Sequence, residues 1–342
     1  MIRKTLRNLT ALLCLTTAIG CSDTQQDTIL DKLVSYGRDN ANLTLKTDTV
    51  DHIKIHYLER PAQTAGSDHT SVETVVLLHG FSANKDNWLE FSQQIDPKFR
   101  LLIPDWPGHG NNSPDMNVDY NLFKQAGRLH QLLAQVGAGK VHLIGNSMGG
   151  GIAMIYRLLY PHDVASLALM NTLGFESSEK SEYFQALKNG TNPLIACDIR
   201  DFDQLLDITM HKPPYIPSPV KAALARQSVD RCEINRKIFA DMLASRETLA
   251  AFDFEKGLTK TALLAPKPVL VIWGDKDRVL DIAAVEDIKR LMPEAEVKIF
   301  TDIGHLPLLE IPAKSGSSYN DFLLRSVSDT DYHDHHAQHS HH

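Results

Sequence analysis

Val141-His142-Leu143-Ile144-Gly145-Asn146-Ser147-Met148-Gly149-Gly150-Gly151 is the stretch that decides the fold. Its apolar beginning reads as a strand. A Gly-x-Ser-x-Gly turn follows, and then a helical pattern (Ile152, Ala153, Ile155, Tyr156, Leu158, Leu159) that stops at Pro161. Strand, tight turn and helix in immediate succession is the setting of a nucleophile elbow. Gly145 and Gly149 suit such a bend because side chains there would clash, and the serine is held at a strained backbone angle. The bend lifts the Ser147 hydroxyl off the sheet edge. It also puts the Met148 N–H at a helix N-terminus, where a developing oxyanion is stabilised. The five-residue pattern alone is weak, since a glycine-rich turn that binds a phosphate, or nothing, has the same letters.

Outward from the elbow, Thr74-Val75-Val76-Leu77-Leu78 and Leu101-Leu102-Ile103 are continuous apolar runs, the kind buried on both faces of a parallel sheet. Ser166 to Met170, Val269 to Trp273 and Val297 to Phe300 also read as strands. Leu43 to Val50 and Ile53 to Leu58 look like an antiparallel pair. Leu122, Ala126, Leu129, Leu132, Leu133 and Val136 recur at helical spacing, which predicts an amphipathic helix over 120–136. Strands alternating with helices predict an α/β fold with a mostly parallel sheet. Functional groups should then gather at the carboxyl ends of the strands.

Between 173 and 262 the strand signals vanish. Helical stretches (Phe202 to Met210, Val220 to Ser228, Ile234 to Ala244) surround the Pro-rich link Lys212-Pro213-Pro214-Tyr215-Ile216-Pro217-Ser218-Pro219. This predicts a helical insertion that splits the core into residues 41–172 and 263–326. The insertion is either a lid over the site or a passive structural addition.

The chain has 342 residues and a net charge of −7 with histidines neutral, so no broad basic surface argues for nucleic acid. Residues 1–20 carry Arg3, Lys4 and Arg7, then a short apolar core from Leu9 to Ile19, and read as a cleaved export signal. Beyond it no apolar run is long enough to span a bilayer. Ala18-Ile19-Gly20 before Cys21 resembles a bacterial lipobox, although Ala18 stands where leucine is usual and Ala18-x-Gly20 also suits ordinary signal peptidase. Lipidation of Cys21 would anchor the chain to a membrane. Ser22 in place of an aspartate favours the outer membrane, with a secreted or periplasmic protein as the alternative. Residues 21–40 read as a tether or an ancillary helix, and 61–71 as a polar loop. Export also makes a disulfide between Cys197 and Cys232 plausible, with two free thiols as the alternative. Residues 327–342, with six His and three Asp, read as a hydrophilic tail that is either disordered or metal-binding, without a catalytic role.

A serine hydroxyl needs a base to take its proton, and the base needs an orienting acid. On this kind of sheet the chain order is serine, acid, histidine. Val269-Leu270-Val271-Ile272-Trp273-Gly274-Asp275-Lys276-Asp277 ends a strand in a turn with two acids. Phe300-Thr301-Asp302-Ile303-Gly304-His305 ends the last strand in a loop with one histidine. His162 and His211 also follow the serine, but only His305 sits after a late strand. Between Asp275 and Asp277 spacing favours Asp277 only mildly, and either could be a turn-forming side chain.

Several stretches resemble the α/β-hydrolase superfamily. They are His79-Gly80-Phe81-Ser82-Ala83-Asn84-Lys85-Asp86-Asn87-Trp88, Asp105-Trp106-Pro107-Gly108-His109-Gly110, the elbow, Trp273-Gly274-Asp275-Lys276-Asp277 and Gly304-His305. The likeness covers about residues 40–325. The first of these stretches, the elbow and the Lys212 to Pro217 link are similar to membrane-associated monoacylglycerol lipases and cold-adapted bacterial lipases. Two features depart from the pattern: a third glycine, Gly151, and the His-rich tail. The resemblance implies Asp277 as the acid, the Phe81 N–H as the second oxyanion donor beside Met148, and a lid over an acyl pocket. It implies a lipid ester as substrate, an acyl-enzyme on Ser147, and neither metal nor organic cofactor. Oligomeric state stays open. Alternatives on the same fold are a carbon–carbon bond hydrolase or an aminopeptidase. A non-catalytic binding protein would have no need of Ser147, Asp277 and His305 together.

Overall fold

The computed structural model describes residues 21–63, 72–251 and 253–338. The export signal expected over 1–20, most of the polar loop at 61–71 and the last four residues of the His-rich tail lie outside the described residues.

The strands are β1 (Thr44–Val50), β2 (Ile53–Arg60), β3 (Thr74–Leu78), β4 (Arg100–Pro104), β5 (Val141–Asn146), β6 (Val164–Met170), β7 (Val269–Gly274) and β8 (Glu296–Phe300). The helices begin with α1 (Asp23–Asn40), α2 (Leu89–Ser92), α3 (Leu122–Gln135) and α4 (Met148–Leu159). After β6 come α5 (Glu182–Lys188), α6 (Ile199–Thr209), α7 (Ser218–Asp230), α8 (Cys232–Ala251) and α9 (Phe254–Leu264). Then α10 (Ala284–Leu291) separates the last two strands, and α11 (Pro307–Glu310) and α12 (Pro312–Gln338) follow them.

One eight-stranded sheet runs in the order β1-β2-β4-β3-β5-β6-β7-β8. From β4 to β8 every pairing is parallel, whereas β1 and β2 are antiparallel. Asp51 and His52, both at positive φ, close the β1–β2 hairpin in a two-residue turn. Side chains alternate between faces along each central strand. Val76, Leu78 and Leu143 pack with Leu129 of α3 and Ile152 of α4. Val75, Leu77 and Ile144 pack on the opposite face with Trp88, Phe91, Tyr319 and Phe322. Both faces are covered, which is why these strands read as unbroken apolar runs rather than alternating ones.

Residues 21–40 are not a loose tether. Ser22 and Gln25 form a capping box that starts α1. Ile29, Leu30 and Val34 line one face of α1 and pack against Val220 and Ala223 of α7. At its other end Arg38 makes a bidentate pair with Asp86, at 2.7 and 2.8 Å. The short apolar stripe finds its partner in the insertion, 190 positions downstream, and that partner is invisible to local periodicity. The tail also differs from expectation: the backbone of residues 327–338 continues α12.

The insertion holds α5 to α9. A disulfide joins Cys197, just before α6, to Cys232 at the start of α8, with Cα atoms 5.0 Å apart. Phe254 and Leu258 of α9 pack into the main core, so the insertion's last helix returns to the sheet.

Candidate active site

β5 is the third of the parallel strands in the sheet order, flanked by β3 and β6. At its end Ser147 adopts φ 55° and ψ −119°, a conformation that a non-glycine residue keeps only when its surroundings enforce it. They do so here. The Ser147 N–H donates to the Met170 carbonyl at 3.0 Å, and its own carbonyl accepts from the N–H groups of Gly150, Gly151 and Leu173. A side chain at Gly145 would run into the Gly149 backbone, and one at Gly149 into the carbonyls of Leu78 and His79. This close approach brings the first turn of α4 onto the end of β3. Met148 opens α4, and the first N–H groups of a helix have no intrahelical acceptor.

His305 and Asp277 come from the loops after β8 and β7. The His305 ring Nδ1 lies 2.8 Å from Asp277 Oδ2, with both side chains almost fully buried. Asn171 Nδ2–H donates to the same oxygen at 2.7 Å. Asp277 Oδ1 accepts from the backbone N–H groups of Val279 (2.8 Å) and Leu280 (3.0 Å). Four donors on two oxygens hold this carboxylate in one orientation. Asp275 instead accepts from the Asp302 N–H at 2.6 Å and staples the two loops together. The choice that spacing left open is therefore made by contact: Asp277 meets His305 and Asp275 does not.

The backbone of His305 is tied down twice. Its N–H donates to Thr209 of α6 at 2.9 Å, and its carbonyl accepts from Asn146 Nδ2 at 3.2 Å. Asn146 directly precedes the serine, so the elbow and the histidine loop share a hydrogen bond. His162 lies beyond the far end of α4, about 18 Å from the elbow at 1.5 Å per residue. The His211 N–H donates to Glu310 of α11 at 2.9 Å, and the other oxygen of that carboxylate accepts from the Gly304 N–H, so the His211 backbone is tied to the histidine loop while Asp277 pairs with His305.

Phe81 follows β3. Trp106 N–H donates to His79 Nε2 at 3.1 Å, which leaves the ring proton on Nδ1, and Nδ1–H donates to the Gly80 carbonyl at 2.8 Å. That carbonyl belongs to the peptide unit carrying the Phe81 N–H, so the His79 ring sets the direction of that donor. Burial pushes His79 and its neighbour His109 down to about 3, so both stay neutral. Below them Lys85, fully buried, pairs with Asp105 at 2.8 Å, and Asp105 also accepts from the N–H groups of Lys85 and Asn111.

The insertion covers this end of the sheet. The Phe239 ring of α8 lies 5.9 Å from that of Phe81, and Asn235 Nδ2–H donates to Ser82 Oγ at 3.2 Å. Arg231 bonds to the carbonyls of Gly108 and Gly110.

Asn171, Asn146, His79 and the Lys85–Asp105 pair had no role assigned from sequence. Asn171 and Asn146 sit at the carboxyl ends of β6 and β5, and a polar residue closing an apolar strand was the available signal. Cys21 is half-buried, and its carbonyl accepts from Gln26 Nε2 at the start of α1.

A family profile described as the alpha/beta hydrolase fold matches residues 73–312. Lipase 3 of Moraxella sp. (strain TA144) is 34% identical over 309 residues, covering 89% of this chain and 93% of that one. A monoacylglycerol lipase of Xenopus laevis is 31% identical over 272 residues, covering 77% and 78%. The crystal structure of a membrane phospholipase A, described as a bacterial virulence factor, superposes with a TM-score of 0.79 at 33% identity, covering 95% of this chain and 99% of that one. With its elbow, its sheet order and these relatives, the chain belongs to the α/β-hydrolase-fold family.

Proposed function

We propose that this protein is a serine hydrolase that cleaves carboxylic esters of lipids. The observation that carries the reading is the Asp277–His305 contact, with His305 bonded through its backbone to the residue before a strained serine. The names of the relatives, lipases and a phospholipase, support the same substrate class.

His305 accepts the Ser147 proton as the hydroxyl oxygen attacks the ester carbonyl. Asp277 keeps the imidazole in the tautomer with Nδ1 protonated and stabilises the imidazolium that forms. The Phe81 and Met148 N–H groups receive the oxyanion. The imidazolium then gives its proton to the leaving alcohol, and the acyl group stays on Ser147. A water attacks the acyl-enzyme, with His305 again as base, and releases the acid. Residues 173–262 act as the lid of the acyl site.

A lipid group on Cys21 would place α1, and through it α7, at a membrane surface where lipid esters reside. No helix among the described residues is long and apolar enough to cross a membrane.

Ser147→Ala decides the chemistry. It should abolish hydrolysis of p-nitrophenyl esters while circular dichroism stays unchanged; retained turnover overturns the nucleophile. A panel of mono-, di- and triacylglycerols and phospholipids then ranks substrates. Metabolic labelling with a fatty-acid analogue, absent in Cys21→Ala, tests the anchor.

A further inference from the structure

A cavity of about 280 Å³ opens at the amino-terminal end of β7, between the last turn of α4, helix α9 and the segment after α10. It is remote from the catalytic groups. Arg157, on its wall, is ten residues along α4 from Ser147, about 15 Å at 1.5 Å per residue.

Arg157 is the unusual feature. It is 2% exposed. Its one hydrogen-bond partner among the described residues is the Met292 thioether, 4.0 Å from Nη1, and no carboxylate among them pairs with it. Burial pushes its pKa below the ordinary arginine value, with no opposing charge to raise it. A guanidinium largely removed from bulk water without a counter-charge is unfavourable unless something fills that role. The other charges around the cavity do not. Arg290 is committed to Glu255 (3.2 Å) and Asp287 (3.4 Å), Lys267 is a third cation on the wall, and Glu294 is exposed at the rim without an ion pair to Arg157.

The remaining wall is largely apolar, with Ala262, Val269 and Leu291 inside. Leu263 stands at the mouth and is 77% exposed, beside Leu264 at 73%. A buried guanidinium fork matches a carboxylate with two parallel N–H···O bonds. Arg157 is the buried one of the three cations on a largely apolar wall, which suits a monoanion with a short tail, and the volume is at the small end of ligand pockets.

We propose that this cavity binds a medium-chain fatty acid, its carboxylate on Arg157 and its chain along Ala262, Val269 and Leu263. The site does not depend on the ester-hydrolase reading, although that reaction would release acids of this kind.

The test is calorimetric titration of the full chain with decanoate below its micelle concentration, against decanol as the uncharged control. Decanoate should bind at least tenfold tighter than decanol. Arg157→Gln should weaken decanoate at least tenfold. Leu263→Glu places a negative charge at the mouth, on a side chain exposed enough to leave folding intact, and should weaken it similarly. If the acyl site near Ser147 also takes decanoate, a second binding step survives in both variants. Wild-type binding by both variants, equal affinity for decanol, or no binding to the wild type overturns the proposal. If Arg157→Gln does not fold, Leu263→Glu alone decides. Ester hydrolysis by Leu263→Glu, measured in parallel, should match wild type, so loss of the fatty-acid site and loss of the hydrolase reading give different results.

Discussion

Asp277 Oδ2 and His305 Nδ1 lie 2.8 Å apart, joined across loops that leave neighbouring parallel strands. This contact separates two aspartates that stand two residues apart. Asp277→Asn removes the carboxylate that selects the working tautomer, and should lower kcat by about 10³–10⁴-fold with little change in KM. Asp275→Asn touches the Asp302 N–H staple and an ion pair with Lys276, not His305, and should cost less than about tenfold by the same measure. Steady-state kinetics on both variants check the ranking, and the reverse order would move the acid to Asp275.

Lys85 and Asp105 are both buried, 2.8 Å apart, beneath the loop that carries Phe81. Lys85→Met leaves Asp105 as an uncompensated buried charge, which should cost about 3–5 kcal/mol. Urea denaturation reads the loss. A variant as stable as wild type would mean that Asp105 is satisfied by its backbone donors alone.

The Cys197–Cys232 bridge closes a loop of 35 residues within the insertion. Chain-entropy reasoning puts its contribution at about 3–4 kcal/mol as an upper value. The Cys197→Ala/Cys232→Ala double variant should therefore melt lower than wild type, while a reducing agent should lower only the wild type. A reductant-insensitive wild type would show that the bridge does not form.

His79 and His109 give a pH dependence with a definite sign. Burial holds both near 3 in the folded chain, whereas in the unfolded chain they titrate near 6.5. Between those values the unfolded state binds more protons, so stability increases with pH there. Their contribution is complete above about pH 6.5 and is lost as pH falls toward 3, at up to about 1.4 kcal/mol per pH unit for each ring. Denaturant midpoints at pH 7 and pH 5 should differ, and His109→Gln should narrow the difference. An unchanged gap in that variant would count against the neutral ring.

The elbow, the parallel strands, the amphipathic α3 and the helical character of 173–262 were legible because each is a local signal. A strand buried on both faces is an apolar run, and a serine bend needs its glycines within two residues on either side. Residues 21–40 read as either a tether or an ancillary helix for the opposite reason, and the structure has the helix. Its Ile29, Leu30 and Val34 stripe is too short to predict a stable helix alone, and it is stabilised by α7, which is distant in sequence. Two helices of the insertion were also not located. α5 is seven residues long, and α9 follows α8 almost without a break, so neither shows a clear period of its own.

Residue types and spacing by themselves determined the fold class, the place of the serine bend and the loop histidine after the last strand, since all three follow from local backbone requirements and chain order. Only the tertiary structure decided which acid faces that histidine, how Asn171 and Asn146 tie the loops together, and which cation is buried without a counter-charge. Those outcomes depend on where side chains from separate strands meet, and a hydrogen bond a few ångströms long between residues 28 to 159 positions apart leaves no trace in either local pattern.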